Sequence, residues 1–165
     1  MTRRAHLAGW LLLATLVPAG CALPKAPAAG ASPADGPWSG RLALRVDSDP
    51  VRTLAGGFEL SGNAQSGELR LLTPLGNTVS SLSWTPASAQ LRSQGEVRSF
   101  ASLDALSREL AGAELPVAAL FQWLAGQDAA SAGWQADLSQ LENGRLTARR
   151  TDPAPAAELR LVLDR

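Results

Sequence analysis

Period-two alternation of apolar and polar residues constrains this chain more than any other feature, and it fills most of the sequence after Trp38. Leu42, Leu44 and Val46 fall on one face of an extended segment, with Arg41, Arg45 and Asp47 on the other. That is the pattern of a strand buried on one side. Leu54, Gly56, Phe58 and Leu60 share a face of the next segment, which Ser61-Gly62-Asn63 then turns. Leu69 and Leu71 alternate with Glu68 and Arg70, Leu82 and Trp84 alternate with Ser81 and Ser83, and further strands follow around Leu91 and Val97. Short turns make successive strands antiparallel neighbours, because a parallel crossover takes about a dozen residues or more.

Helical spacing interrupts this meander twice. Ser102 is placed to cap a helix carrying Leu103, Leu106 and Leu110, with Asp104 and Arg108 spaced to pair and Gly112 as the stop. A second helix opens with Pro116 in its first turn and closes at Gly126. Val117, Leu120, Phe121, Trp123 and Leu124 cover most of its circumference. Such a helix is either fully buried or a lid whose second face meets lipid. Alternation then returns at Trp134, Ala136 and Leu138, from Leu146 to Arg150, and at Leu159, Leu161 and Leu163, with turns at Asn143-Gly144 and Asp152-Pro153. The expected fold is mainly β with inserted helices: a half-open antiparallel barrel, curled to shelter its edges, with an α-helical lid at one mouth. Periodicity leaves open whether its interior is packed or hollow.

The 165 residues divide into an appendage and one domain. Arg3 and Arg4, the eleven-residue apolar stretch from Leu7 to Val17, and Ala19-Gly20 before Cys21 form an export signal over residues 1–20. A bilayer-spanning helix takes roughly 20 apolar residues, so this is a cleaved segment. Ala19-Gly20-Cys21 resembles the bacterial lipobox, whose cysteine is acylated, although Pro18 stands where that motif usually has leucine. The alternative is an ordinary secretory signal cut near Ala22. Residues 21–37 read as a lipidated Cys21 with a tether of Ala, Pro, Gly and Ser, and residues 38–165 as the domain. Ala22, rather than Asp, after the cysteine directs the chain to the outer membrane under the enterobacterial sorting rule, facing the periplasm.

Without residues 1–20 the chain keeps 13 basic and 15 acidic side chains, no histidine and, with Cys21 acylated, no free thiol. A Ser-His-Asp triad, a Cys-His dyad and a histidine-bearing metal site are then unavailable, and no metal or cofactor is expected. The balanced charge offers nothing to nucleic acid. Carboxylate chemistry survives, and a hydrolase using Glu59 and Glu68 is the enzyme alternative, but both sit on polar strand faces where solvated surface is the default.

Thr73-Pro74-Leu75-Gly76 has Pro and Gly at the second and fourth positions of a type I turn, which sets Leu75 at the tip. Leu75 either folds back on the sheet or protrudes as an apolar probe. The order Gly40-Arg41-Leu42, Phe58, Leu69 to Leu72, Thr73-Pro74-Leu75-Gly76-Asn77-Thr78, Leu120 with Trp123-Leu124-Ala125-Gly126, and Gly133-Trp134 resembles the LolB family of outer-membrane lipoprotein receptors. The likeness runs from Trp38 to the C-terminus. One departure is Leu60, where some members have tryptophan.

The resemblance implies an apolar cavity for the acyl chains of client lipoproteins, received from a periplasmic carrier and inserted into the outer membrane. It maps Pro74, Leu75 and Gly76 to the membrane-insertion loop, and Leu120, Trp123 and Leu124 to the lid. Together with alternation it places Leu42, Leu44, Phe58, Leu60, Leu71, Leu82, Trp84 and Trp134 around the cavity. The expected partners are that carrier, client acyl chains and outer-membrane lipid, acting on a monomer with no catalytic residue. A generic lipid-binding or structural lipoprotein of the same barrel type is the competing function.

Overall fold

A computed structural model describes residues 36–164. The expected signal segment, Cys21 and the expected tether up to residue 35 lie outside the described residues. Six strands come first: β1 (Trp38–Val46), β2 (Arg52–Gly62), β3 (Gly67–Leu72), β4 (Thr78–Thr85), β5 (Ser88–Ser93) and β6 (Glu96–Phe100). Two helices follow, α1 (Leu103–Ala111) and α2 (Val117–Leu124), and then β7 (Trp134–Asp137), β8 (Arg145–Arg150) and β9 (Ala157–Leu163). All pairings are antiparallel within one nine-stranded sheet of order β6-β5-β4-β3-β2-β1-β9-β8-β7.

The first and last strands pair with each other, Gly40 opposite Leu163 and Val46 opposite Ala157, so the two halves of the chain join in the middle of the sheet. The free edges are β6 and β7, which do not pair, and the segment between them carries both helices. The sheet is therefore curled but open, as the alternation implied. α1 lies against β5, β6 and β2, so it crosses the concave face instead of extending one edge.

Alternation explains the strands. In β1 every second residue from Gly40 to Val46 is buried. Gly40 adopts a φ of 153°, and a Cβ there would run into the Val162 carbonyl of β9. Only glycine holds that conformation at little cost, and the penalty for another residue is about 1–3 kcal/mol before the clash. Gly40→Ala is accordingly expected to lower the unfolding free energy by at least about 2 kcal/mol in a denaturant titration. On the outer face Glu158 of β9 accepts from Arg149 at 2.7 Å and pairs with Arg160 at 2.6 Å. The hydrogen bond from Arg149, foremost, holds its carboxyl below the usual glutamate range.

The helix ends follow local chemistry. The Ser102 hydroxyl accepts from the Ala105 N–H at 3.1 Å, and Gly112, at a φ of 77°, caps the other end of α1. Pro116 takes the N-cap position of α2, one residue ahead of its first turn. The expected Asp104–Arg108 pair does not form; Arg108 instead reaches forward to Glu114 at 3.1 Å. An exposed intrahelical pair is worth only a few tenths of a kcal/mol, so a carboxylate just past the helix end competes with it successfully.

Candidate functional site

The concave side has two unlike halves. Beneath α2 it is solid. Phe121 meets Trp38 edge-on at 5.5 Å between ring centroids and lies 6.3 Å from Trp84. Trp123 is fully buried and donates its indole N–H to the Ala129 carbonyl at 2.9 Å, while Trp84 donates to Asn63 at 3.0 Å. Both indoles thus keep their polar atom bonded while burying the ring. Trp134 packs at the far side beneath the buried Arg150 guanidinium, 5.7 Å from the ring centroid, and Arg150 donates to the Pro155 carbonyl at 2.8 Å. Of the two possibilities for α2, the structure favours burial without completing it: Ala119, Phe121, Trp123 and Leu124 are enclosed, Val117 and Leu120 are half-buried, and Ala118 and Gln122 are exposed.

Beneath α1 the interior is hollow. A cavity of about 220 Å³ is bounded by Leu44 and Val46 of β1, Leu54 of β2, Leu69 and Leu71 of β3, Leu82 of β4 and Leu91 of β5. Leu110, Ala111 and Leu115 close it from the helix side, and its polar lining is confined to Arg52, Thr53, Ser80, Ser93 and Ser107. Such a space favours hydrocarbon over water, which needs several polar partners to enter.

α1 is held over this cavity at its C-terminal end. Arg52 of β2 donates from Nη1 to the Glu109 carbonyl at 2.8 Å and to the Leu110 carbonyl at 3.3 Å. These are terminal carbonyls that the helix cannot satisfy itself, and the guanidinium also complements the helix dipole. Arg98 of β6 pairs with the Glu109 side chain at 2.9 Å. Arg52→Ala is expected to raise hydrogen exchange of the α1 amides about tenfold, the size of one charge-assisted hydrogen bond, while α2 amides stay protected.

Thr73-Pro74-Leu75-Gly76 forms a closed turn beside the cavity mouth. The Gly76 N–H donates to the Thr73 carbonyl at 2.9 Å, the Thr73 N–H to the Asn77 carbonyl at 2.9 Å, and the Asn77 N–H to the Thr73 hydroxyl at 3.1 Å. Gly76 has a φ of 81°, as the residue after a type I turn in a three-residue hairpin requires. Leu71 pairs with Ser80 and Leu72 with Thr78, which leaves Val79 as an extra, bulged residue. The backbone is thus tied down while Leu75 is 88% exposed. Of the two possibilities for Leu75, the structure shows the protruding one.

Of the residues expected around the cavity, Leu44, Leu71 and Leu82 lie on its wall. Leu42, Phe58, Leu60, Trp84, Trp123, Leu124 and Trp134 are in the packed core instead, with Leu120 half-buried against it. The sequence reading missed Val46, Leu54, Leu69, Leu91, Leu110 and Leu115 as lining residues. Leu69 and Leu110 already lay on the apolar faces of their segments, but alternation assigns a face and not a level along the strand. Glu59 and Glu68 lie on the outer face, where Arg70 reaches them at 3.5 and 3.0 Å.

Residues 37–155 match the family model described as outer membrane lipoprotein LolB. The outer-membrane lipoprotein LolB of Bordetella petrii is 32% identical over 94% of this chain and 91% of its own length. That of Bordetella pertussis is 32% identical over 93% and 89%, and that of Cupriavidus pinatubonensis 33% identical over 78% and 65%. The curled antiparallel sheet, the pair of inserted helices and the matched residues agree, and the chain belongs to the LolB family of outer-membrane lipoproteins.

Proposed function

We propose that this protein, anchored through an acylated Cys21, takes lipoproteins from a periplasmic carrier by drawing their acyl chains into the cavity beneath α1, and inserts them into the outer membrane. The observation that carries this reading is the coincidence of an apolar cavity and a protruding, uncharged Pro74-Leu75-Gly76 tip at one end of the barrel. Burial of hydrocarbon is worth about 0.8 kcal/mol per methylene, so a client cannot cross water with its chains exposed, and a covered apolar cavity removes that barrier. Direction follows from affinity alone: the carrier holds the chains least tightly, this protein more so, and the bilayer best. The domain acts as a monomer and performs no covalent chemistry.

A volume of about 220 Å³ is below the roughly 300–1,000 Å³ of sites for drug-sized ligands. Loading therefore widens the cavity, and α1 is the element that moves, because it roofs the cavity with Ser107, Leu110 and Ala111 and is anchored by one buried leucine, Leu106, and two exposed arginines, whereas α2 is fixed by buried aromatic rings. Ligand binding that opens α1 shows as increased exchange of its amides on addition of a fatty-acyl ligand. Unchanged exchange, with the ligand bound, removes α1 as the moving part.

A further inference from the structure

We propose that the whole rim of the cavity mouth, with Val51 and Val79 beside Leu75, is a docking surface for the bilayer that anchors this same chain. The inference rests on the receptor reading above and adds a seat around its single inserted leucine. Val51 and Val79 are each 50% exposed, and Leu54 and Leu110, at the cavity edge, are exposed as well. Continuing the β2–β3 register one residue beyond Gly57–Leu72 sets Thr73 level with Gly56, so the turn that Thr73 closes carries Leu75 at the end of the sheet where β2 runs on through Leu54, with Val51 three residues farther along, about 10 Å. Leu54 and Leu110 line the cavity at the same end of the sheet as the Leu75 tip.

The occupant follows from chemistry and from reach. Thr73–Val79 carries no charge, and the β1–β2 connection carries Asp47, paired with Arg45 at 2.8 Å, and Asp49. Arg52, the one basic side chain on the cavity lining, is engaged by the Glu109 and Leu110 carbonyls of α1, so anionic headgroups gain little and apolar area makes the contact, as for other interfacial segments that sink about 5–10 Å. The domain begins at the opposite end: Trp38 is level with Leu60 and Leu69, and Leu75 lies six residues beyond, about 20 Å. From Cys21 to Trp38 is 17 residues, with a maximum reach of about 60 Å. That reach lets the mouth turn down onto the membrane holding the anchor.

The test uses the full acylated chain in phosphatidylcholine vesicles with a spin-labelled lipid at headgroup depth. An environment-sensitive fluorophore is attached to Val51→Cys, Val79→Cys, Leu75→Cys or, in the turn at the other end, Gln65→Cys. Quenching at 51, 75 and 79 at least about fivefold above that at 65 is expected. Removal of residues 24–35 cuts the reach to about 18 Å and is expected to abolish that difference, and a Gly/Ser segment of the original length to restore it. Quenching at 75 alone, equal quenching at 65, or full quenching with the short tether overturns the proposal. No client or carrier is present, so failure here is distinct from failure to receive lipoproteins.

Discussion

Leu75→Glu is expected to fold normally and to accept client lipoproteins, but to deliver them to liposomes roughly thirtyfold more slowly. The side chain is 88% exposed on a turn held by backbone hydrogen bonds, so neither core nor loop geometry depends on it. Burying a leucine in hydrocarbon returns about 2 kcal/mol, and a carboxylate in its place adds a desolvation cost. Rates of delivery and of acceptance, measured separately with a radiolabelled lipoprotein, check this. Unimpaired delivery by the variant removes the role assigned to Leu75, and a matched loss of acceptance moves that role to the carrier.

The second large effect concerns stability and separates the two helices. Trp123→Ala is expected to cost about 3–5 kcal/mol of unfolding free energy, because it empties a fully buried indole site and leaves the Ala129 carbonyl without its donor. A small domain has only about 5–15 kcal/mol to lose. Leu110→Ala, at the exposed edge of the cavity, is expected to cost less than about 1 kcal/mol, since it enlarges a space that is already empty. Urea titrations of both variants give the comparison. Equal costs contradict the division into a fixed α2 and a movable α1.

What was legible in the sequence was local. Ser102 and Gly112 bracket α1 because capping depends on groups within one turn of the helix end. Thr73-Pro74-Leu75-Gly76 adopts the turn its residue types prefer, for the same reason. Alternation gave the buried faces of β1, β4 and β9. Contacts set by the path of the whole chain were not legible. The pairing of β1 with β9 joins residues more than a hundred positions apart, and no pattern in either strand names its partner. The void under α1 depends on where that helix crosses the sheet, which Arg52 fixes from β2, 57 residues away, together with Arg98 from the strand just before the helix. A filled face and a hollow one have the same alternation, so Trp84 and Leu82, two residues apart in β4, lie in the packed half and on the cavity wall respectively.

The central claim is that acyl chains of a client enter the cavity beneath α1. Ser80, buried on its wall, gives direct access to that claim, because Ser80→Phe fills the space without touching the Leu75 loop or the aromatic core under α2. The measurement is transfer of a radiolabelled triacylated lipoprotein from its periplasmic carrier to the full-length protein, with circular dichroism to verify folding. The native protein is expected to strip the carrier, and the folded Ser80→Phe variant to do so at least about tenfold less. Failure of the native protein to receive the lipoprotein, or equal transfer by a folded variant with the cavity filled, contradicts it.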